Sequence, residues 1–198
     1  MRNYINSWLA VVYLWGRVYY SSVLRLFETK YLTTTLPTVT SLADIERVSD
    51  EVEWTSDFKL APHVKLRRLW WDCISYAETV WAKKKDDCDG FAVLDCKLLD
   101  QLDDLYPGIK GYLLSVFVIP RRKSHAVCLF VIDDVTHMFT NGSHVEFDPS
   151  YQITDVVDIV AAGGEILAWS LEDPETNEII MIKRGINGDV PKLFKRRF

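Results

Sequence analysis

The chain has 198 residues, of which 48% are hydrophobic and 26% charged, and it contains 9 Gly, 7 Pro and 4 Cys. These values exclude collagen, low-complexity disorder and a disulfide-rich scaffold, and they are typical of one soluble domain with a single core. The formal net charge of −5 disfavours sequence-independent binding to nucleic acid, because binding to phosphates needs an excess of Lys and Arg.

The N-terminal segment is unusually apolar and has helical periodicity. Large apolar side chains recur from Ile5 to Phe27, beside a narrower stripe of polar or small residues. The uncharged run from Asn3 to Gly16 is shorter than the roughly 20 residues that span a bilayer, and no cleavage pattern follows it, so a spanning helix and an ordinary signal peptide are disfavoured. We expect residues 1–35 to form a helix that packs on the domain or makes a homo- or hetero-oligomer contact. A helix lying on a membrane surface is the alternative.

The rest of the chain predicts helices first and strands afterwards. We expect a linker over residues 33–40, helices over 41–48, 62–80 and 88–105, strands over 112–119, 124–132 and 144–151, and a closing hairpin of 166–171 with 179–182. Asn141-Gly142 is a strong tight-turn signal. This order predicts an α+β fold in which N-terminal helices pack on an antiparallel sheet. The main domain would cover residues 41–190, and a basic tail would cover 191–198.

Three residues could together carry nucleophilic chemistry. Cys88 begins a predicted helix, where the positive end of the helix dipole favours the reactive thiolate. His125 lies in a predicted strand and could take the thiol proton, and Asp148 lies near the end of a later predicted strand and could orient the imidazole ring. Taken singly, each residue also has a structural explanation, as core filler, as a satisfied strand histidine and as the start of an Asp-Pro turn.

Three short segments resemble the transglutaminase-like cysteine peptidases of the papain-like superfamily, of bacterial or bacteriophage type. They are WAKKKDDCDGFAVL (81–94), SHAV (124–127) and EFDPSY (146–151). The resemblance implies a papain-like core without a cofactor. It also implies that Cys88 is the nucleophile, His125 the general base and acid, and Asp148 the residue that orients the histidine. Trp81 would lie near the thiol and bind substrate.

Two residues depart from the pattern of this family. Asp87 stands where the family usually has Gly, and Gly90 replaces its second Asp. A carboxylate beside Cys88 disfavours the thiolate and opposes the effect of the helix dipole.

Two functions follow from the resemblance. The first is a thiol acyl-transfer enzyme, a cysteine peptidase or amidase that hydrolyses an amide of a protein or peptide substrate through a thioester on Cys88. The alternative is a catalytically weak or inactive domain of the same fold that serves as a structural or assembly protein, for example in a phage virion.

The cysteines and histidines disfavour a metal site, because they form no CxxC pair and no zinc-ligand spacing. Unpaired thiols without a secretory signal predict a reducing compartment such as the cytoplasm, and the resemblance to bacteriophage-type domains implies a virion as the alternative location.

Overall fold

The computed structural model describes residues 2–55 and 74–186. Within these ranges the helices are α1 (Arg2–Glu28), α2 (Leu42–Ser49), α3 (Ala77–Lys83), α4 (Cys88–Leu99) and α5 (Ile153–Ala161). The strands are β1 (Glu53–Trp54), β2 (Lys85–Asp86), β3 (Tyr112–Ile119), β4 (His125–Ile132), β5 (Val135–Thr140), β6 (Ser143–Glu146), β7 (Glu165–Asp173) and β8 (Glu178–Arg184). The start of the helix predicted over 62–80 and the basic tail over 191–198 lie outside the described residues.

A six-stranded antiparallel sheet forms the centre of the protein. Its strands lie in the order β6-β5-β4-β3-β7-β8, and β1 and β2 form a separate two-stranded parallel pair. The mixed helix and sheet content confirms the predicted α+β class and the antiparallel sheet.

Local signals in the sequence explain several element boundaries. Ser41 caps α2, since its side chain accepts a hydrogen bond from the backbone N–H of Asp44. Asn141 and Gly142 join β5 to β6 with φ angles of 48° and 83°, a backbone that favours Asn-Gly in a tight hairpin. Both features agree with the sequence-based predictions. The sequence did not predict β5 or α5, and the third predicted strand is shorter than expected.

The two faces of the sheet are covered by different helices. On one face, α4 packs against β4 in a core cluster that includes Ala126, Cys128 and Phe130. On the other face, α5 packs over a second cluster that includes Val127 and Leu129. Because alternate side chains of a strand point to opposite faces, β4 has an even-numbered row toward α4 and an odd-numbered row toward α5.

Helix α1 lies on the same face as α4, over β7 and β8. Its residues Ala10, Val11 and Leu14 are buried in a third cluster with Ala168 and Ile182. One side of the N-terminal helix is therefore an integral part of the core of the domain. None of the helices in the described ranges is both long and apolar enough to cross a membrane.

Candidate functional site

Cys88 is the first residue of α4, which confirms the predicted helix start. The residue is half-buried and packs against the core cluster on the α4 face of the sheet. Asp87 is the N-cap, and its side chain accepts a hydrogen bond from the backbone N–H of Asp89 at 3.4 Å. The thiol thus lies at the positive end of the helix dipole, between two carboxylates.

Three acidic side chains surround this helix start. Oxygens of Asp86, Asp87 and Asp89 lie within 4.8 Å of one another, so they could meet on one cation. Burial raises the pKa of Asp86 to about 7, although the N–H of Asp87 donates to its carboxylate at 2.9 Å. The nearby negative charge of Asp87 makes a smaller contribution to this rise in pKa. These charges oppose ionisation of the thiol.

Gly90 has a packing role next to this acidic cluster. A Cβ atom at this position would overlap the Cβ and Cγ atoms of Asp86. The Gly90 that departs from the family pattern therefore makes room for a buried aspartate.

A buried ion network connects the start of α4 to α1. The Arg17 guanidinium lies 3.5 Å from the Asp89 carboxylate and 3.2 Å from the Glu172 carboxylate, and it donates to the Ser115 hydroxyl at 2.5 Å. The three charged side chains are each at most 4% exposed. The single positive charge of Arg17 offsets part of the negative charge of the two buried carboxylates, and the network fixes α1 against α4, β3 and β7.

His125 is the first residue of β4, and its hydrogen bond goes to a side chain on the neighbouring strand. Its Nε2 lies 2.8 Å from the hydroxyl of Thr140. His125 belongs to the odd-numbered row of β4, and Thr140 lies in the same row as Met138, on the α5 face. Burial lowers the pKa of His125, which favours the neutral ring at pH 7. The sheet therefore separates the row of His125 from the face on which α4 places Cys88.

Asp148 is exposed and lies beyond the end of β6. Its carboxylate accepts hydrogen bonds from the backbone N–H and the hydroxyl of Ser150 at 2.9 and 2.6 Å, and these bonds lower its pKa. The N–H of the preceding residue, Phe147, bonds to the carbonyl of Thr136, which is paired with Val131. Val131 lies six residues along β4 from His125, roughly 20 Å at the rise of a strand.

The structure therefore does not bring Asp148 to His125. The extra strand β5 and its hairpin carry Asp148 toward the opposite end of β4. Thr140 lies beside the imidazole instead, and it was not predicted from the sequence because β5 was not predicted. The catalytic roles of Cys88, His125 and Asp148 stay predictions.

Trp81, the predicted substrate-binding residue, lies on α3. It is half-buried and packs against the same core cluster as Cys88. The ammonium of Lys84 lies 2.8 Å from the centre of its indole ring, a cation–π contact that covers one ring face. A substrate-binding role for Trp81 stays a prediction.

The outward side of α1 is a second candidate site. Seven large apolar side chains, each more than two-fifths exposed, form what we call the outer face of α1: Leu9, Val12, Trp15, Tyr19, Val23, Leu26 and Phe27. The rings of Trp15 and Tyr19 stack at its middle, with centroids 6.4 Å apart. Between Leu9 and Phe27 the sequence has two charged residues, Arg17 and Arg25, and both are buried on the opposite side.

The polar stripe of α1 is thus the side that packs into the protein. Arg25 donates to the carbonyls of Ile74 and Ser75 at 3.0 and 3.1 Å, and Ser21 accepts from the N–H of Ile74 at 2.8 Å. Asn177 reaches the helix from the β7–β8 turn and donates to the carbonyl of Val18. These bonds orient the helix so that its apolar side faces outward.

Comparison with known proteins adds no relative to this description. No protein-family model matches the chain, and a search of curated proteins finds no match.

Proposed function

We propose that this chain is a structural or assembly protein that joins a larger protein complex through the outer face of α1. The observation that carries the proposal is the orientation of this helix. It buries both Arg17 and Arg25 and exposes seven large apolar side chains with no charge among them. A helix on the surface of an isolated domain normally has the reverse arrangement.

The size of the outer face supports a protein partner. Four of its side chains, Leu9, Tyr19, Leu26 and Phe27, are 61 to 75% exposed. At typical side-chain areas the seven residues expose about 800 Å², more than the roughly 300–600 Å² of the largest apolar patch on an ordinary monomer. Burial of this surface against a partner would make a large favourable hydrophobic contribution to the free energy of binding.

The anchoring of α1 supports the same role. Arg17 contacts Asp89 and Glu172, and Arg25 bonds two backbone carbonyls at the far end of the helix. A binding surface on an element held at several points loses little conformational entropy when a partner binds. The outer face is therefore presented by a rigid platform.

The proposal includes a papain-like or transglutaminase-like core. Its support is the sequence resemblance together with α4, a helix that begins at a cysteine and packs on an antiparallel sheet. The separation of Asp148 from His125 favours an assembly role of this core over catalysis.

Site-specific photo-crosslinking tests the proposal. A benzophenone amino acid would replace Tyr19 on the outer face or, as a matched control, the exposed Tyr151 next to α5. The experiment is done in the native assembly. A discrete adduct from position 19 and none from position 151 is the expected result. The proposal would be contradicted if neither position gave a crosslinked product, or if both positions gave the same diffuse mixture of products.

The second candidate function is the thiol acyl-transfer enzyme, which one observation favours. Cys88 is half-exposed at a helix start, whereas Cys96 and Cys128 are buried and burial raises the pKa of both thiols. An enzyme would hydrolyse an amide through a Cys88 thioester. Iodoacetamide at neutral pH separates the candidates. If the chain is an assembly protein, iodoacetamide should alkylate Cys88 no faster than it alkylates the thiol of glutathione. Alkylation of Cys88 at a rate many times higher would favour the enzyme.

A further inference from the structure

We infer that the occupant of the outer face of α1 is a second copy of this chain, with the two α1 helices antiparallel and a two-fold axis near residues 16–19. This inference rests on the proposed function, because it names the partner of the same surface. A symmetric dimer requires a surface that is complementary to itself, so that each contact of residue i with residue j occurs twice.

The order of side chains along the outer face meets this requirement. An antiparallel copy that pivots midway between residues 17 and 18 places Leu9 against Leu26 and Val12 against Val23. The same operation places Gly16 against Tyr19. The leucine and valine pairs, which lie away from the two-fold axis, join side chains of equal size. Next to the axis, Gly16 leaves room for the ring of Tyr19. Trp15 then faces Tyr20 and Phe27 faces Trp8, two aromatic pairs whose second members lie beside the outer face, so the stripe has a similar profile in both directions.

The area is adequate for a dimer. The outer face exposes about 800 Å² of side chain, and a specific interface of standard size buries about 800 Å² per partner. The helix of 27 residues is about 40 Å long, so the contact can extend over its whole length. Antiparallel helices also place opposite dipole ends together.

The charges favour a second copy over a membrane surface. Helices that bind anionic bilayers carry Lys or Arg beside their apolar face. Arg17 in the middle of α1 and Arg25 in its last turn are each 3% exposed and point into the protein. An uncharged apolar stripe instead fits an identical stripe, since neither copy leaves a charge without a partner.

Light scattering after size exclusion tests the inference on the full chain. The unsubstituted protein should have twice the 22.9 kDa of one chain. Tyr19→Lys and Leu26→Lys should each yield monomers, with the dissociation constant raised at least about 100-fold, because each substitution buries two lysines per dimer. Leu105→Lys is the matched control at an exposed leucine outside α1, and it should stay dimeric. Circular dichroism checks that each variant folds.

Disulfide trapping tests the antiparallel register. An equimolar mixture of Leu9→Cys and Leu26→Cys chains should form disulfide-linked heterodimers on mild oxidation, above the background of the unsubstituted chain. Leu9→Cys alone should not, because its two copies would lie about 25 Å apart along the helix. Self-linked Leu9→Cys would overturn the antiparallel arrangement.

Other outcomes separate this inference from the proposed function. A monomer at 100 µM with a discrete crosslink from position 19 to a different protein would overturn the second copy and keep the assembly role. A monomeric chain that floats with phosphatidylcholine–phosphatidylserine vesicles, and no longer floats with them as the Tyr19→Lys variant, would overturn both the second copy and the assembly role. The outer face would then bind a bilayer.

Discussion

Replacement of Arg17 by Met should strongly destabilise the protein. Met keeps the length of the side chain and removes the charge, so Asp89 and Glu172 would remain buried without their cation. Removing one partner from a buried ion pair typically costs 3–5 kcal/mol. We therefore expect a loss of about 3–5 kcal/mol, a large part of the roughly 5–15 kcal/mol that stabilises a domain.

Urea unfolding followed by far-ultraviolet circular dichroism measures this loss. The matched control is Arg47→Met, because Arg47 pairs with Asp44 at 2.8 Å but its side chain is 73% exposed. The loss at Arg47 should be at most about 1 kcal/mol, since solvent screens an exposed pair. The contrast between the two arginines isolates the effect of burial.

A combined variant distinguishes lost charge compensation from lost packing. Adding Asp89→Asn and Glu172→Gln to Arg17→Met removes the uncompensated charges, and it should recover part of the lost free energy of unfolding. A loss below about 1 kcal/mol for Arg17→Met alone would refute the buried network as the anchor of α1. No recovery in the triple variant would refute the electrostatic explanation.

Two further predictions concern α4. Burial raises the pKa of Asp95 from 3.8 to about 7, so the folded state keeps a proton that the unfolded chain has released; the resulting stabilisation is complete below about pH 4 and lost as the pH rises through 7. A group with this shift lowers the free energy of unfolding by roughly 4 kcal/mol between these pH values. Asp95→Asn should remove the part of the decrease that is due to Asp95, while the part due to Asp86, whose pKa is also about 7, should remain. An unchanged pH profile of the free energy of unfolding would contradict this prediction. Gly90→Ala should destabilise by about 1–3 kcal/mol through overlap with Asp86, although Ala usually stabilises a helix relative to Gly; a more stable variant in urea would contradict the packing role.

Most secondary structure could be predicted from local signals. Ser41 and Asp87 mark helix starts, Asn141-Gly142 marks a hairpin, and the apolar strands β3 and β4 appear where expected. These features depend on contacts within a few residues, so the sequence contains them directly. Strand β5 was missed because its VTHMFT segment mixes polar and apolar residues without clear alternation.

The helix α5 was missed for a different reason. Its ITDVVDIVA segment is β-branched, but Ile153, Val156, Val157 and Val160 follow a helical period and pack on the sheet. Gln152 and Asp155 form a capping box, a local signal that could have revealed the helix.

The candidate site shows what local patterns leave out. The sequence placed Cys88 at a helix start and His125 in a strand, and both positions agree with the structure. Which face of the sheet α4 covers depends on packing between distant elements. The partner of His125 depends on the pairing of β5 with β4, so Thr140 could not be found without that strand.

In helix α1, tertiary contacts decide which side faces the solvent, against the preference that the sequence pattern indicates. Periodicity separated a polar stripe from a wider apolar side, and a surface helix normally turns its polar stripe to water. Here buried acceptors from Asp89, Glu172 and the backbone at residues 74 and 75 attract the polar stripe inward. Val11, Leu14 and Val18 beside this stripe are buried with it, and the apolar residues on the opposite side of the helix are left on the surface.

Crosslinking from position 19 is the sharpest test of whether a protein partner covers the outer face of α1, because Tyr19 lies in the middle of this face and is 66% exposed. In the native assembly, a benzophenone at this position should give one discrete adduct, while the same probe at Tyr151 should give none. If position 19 gives only the uncrosslinked chain, the outer face is not covered by a partner, and the proposed assembly role is contradicted.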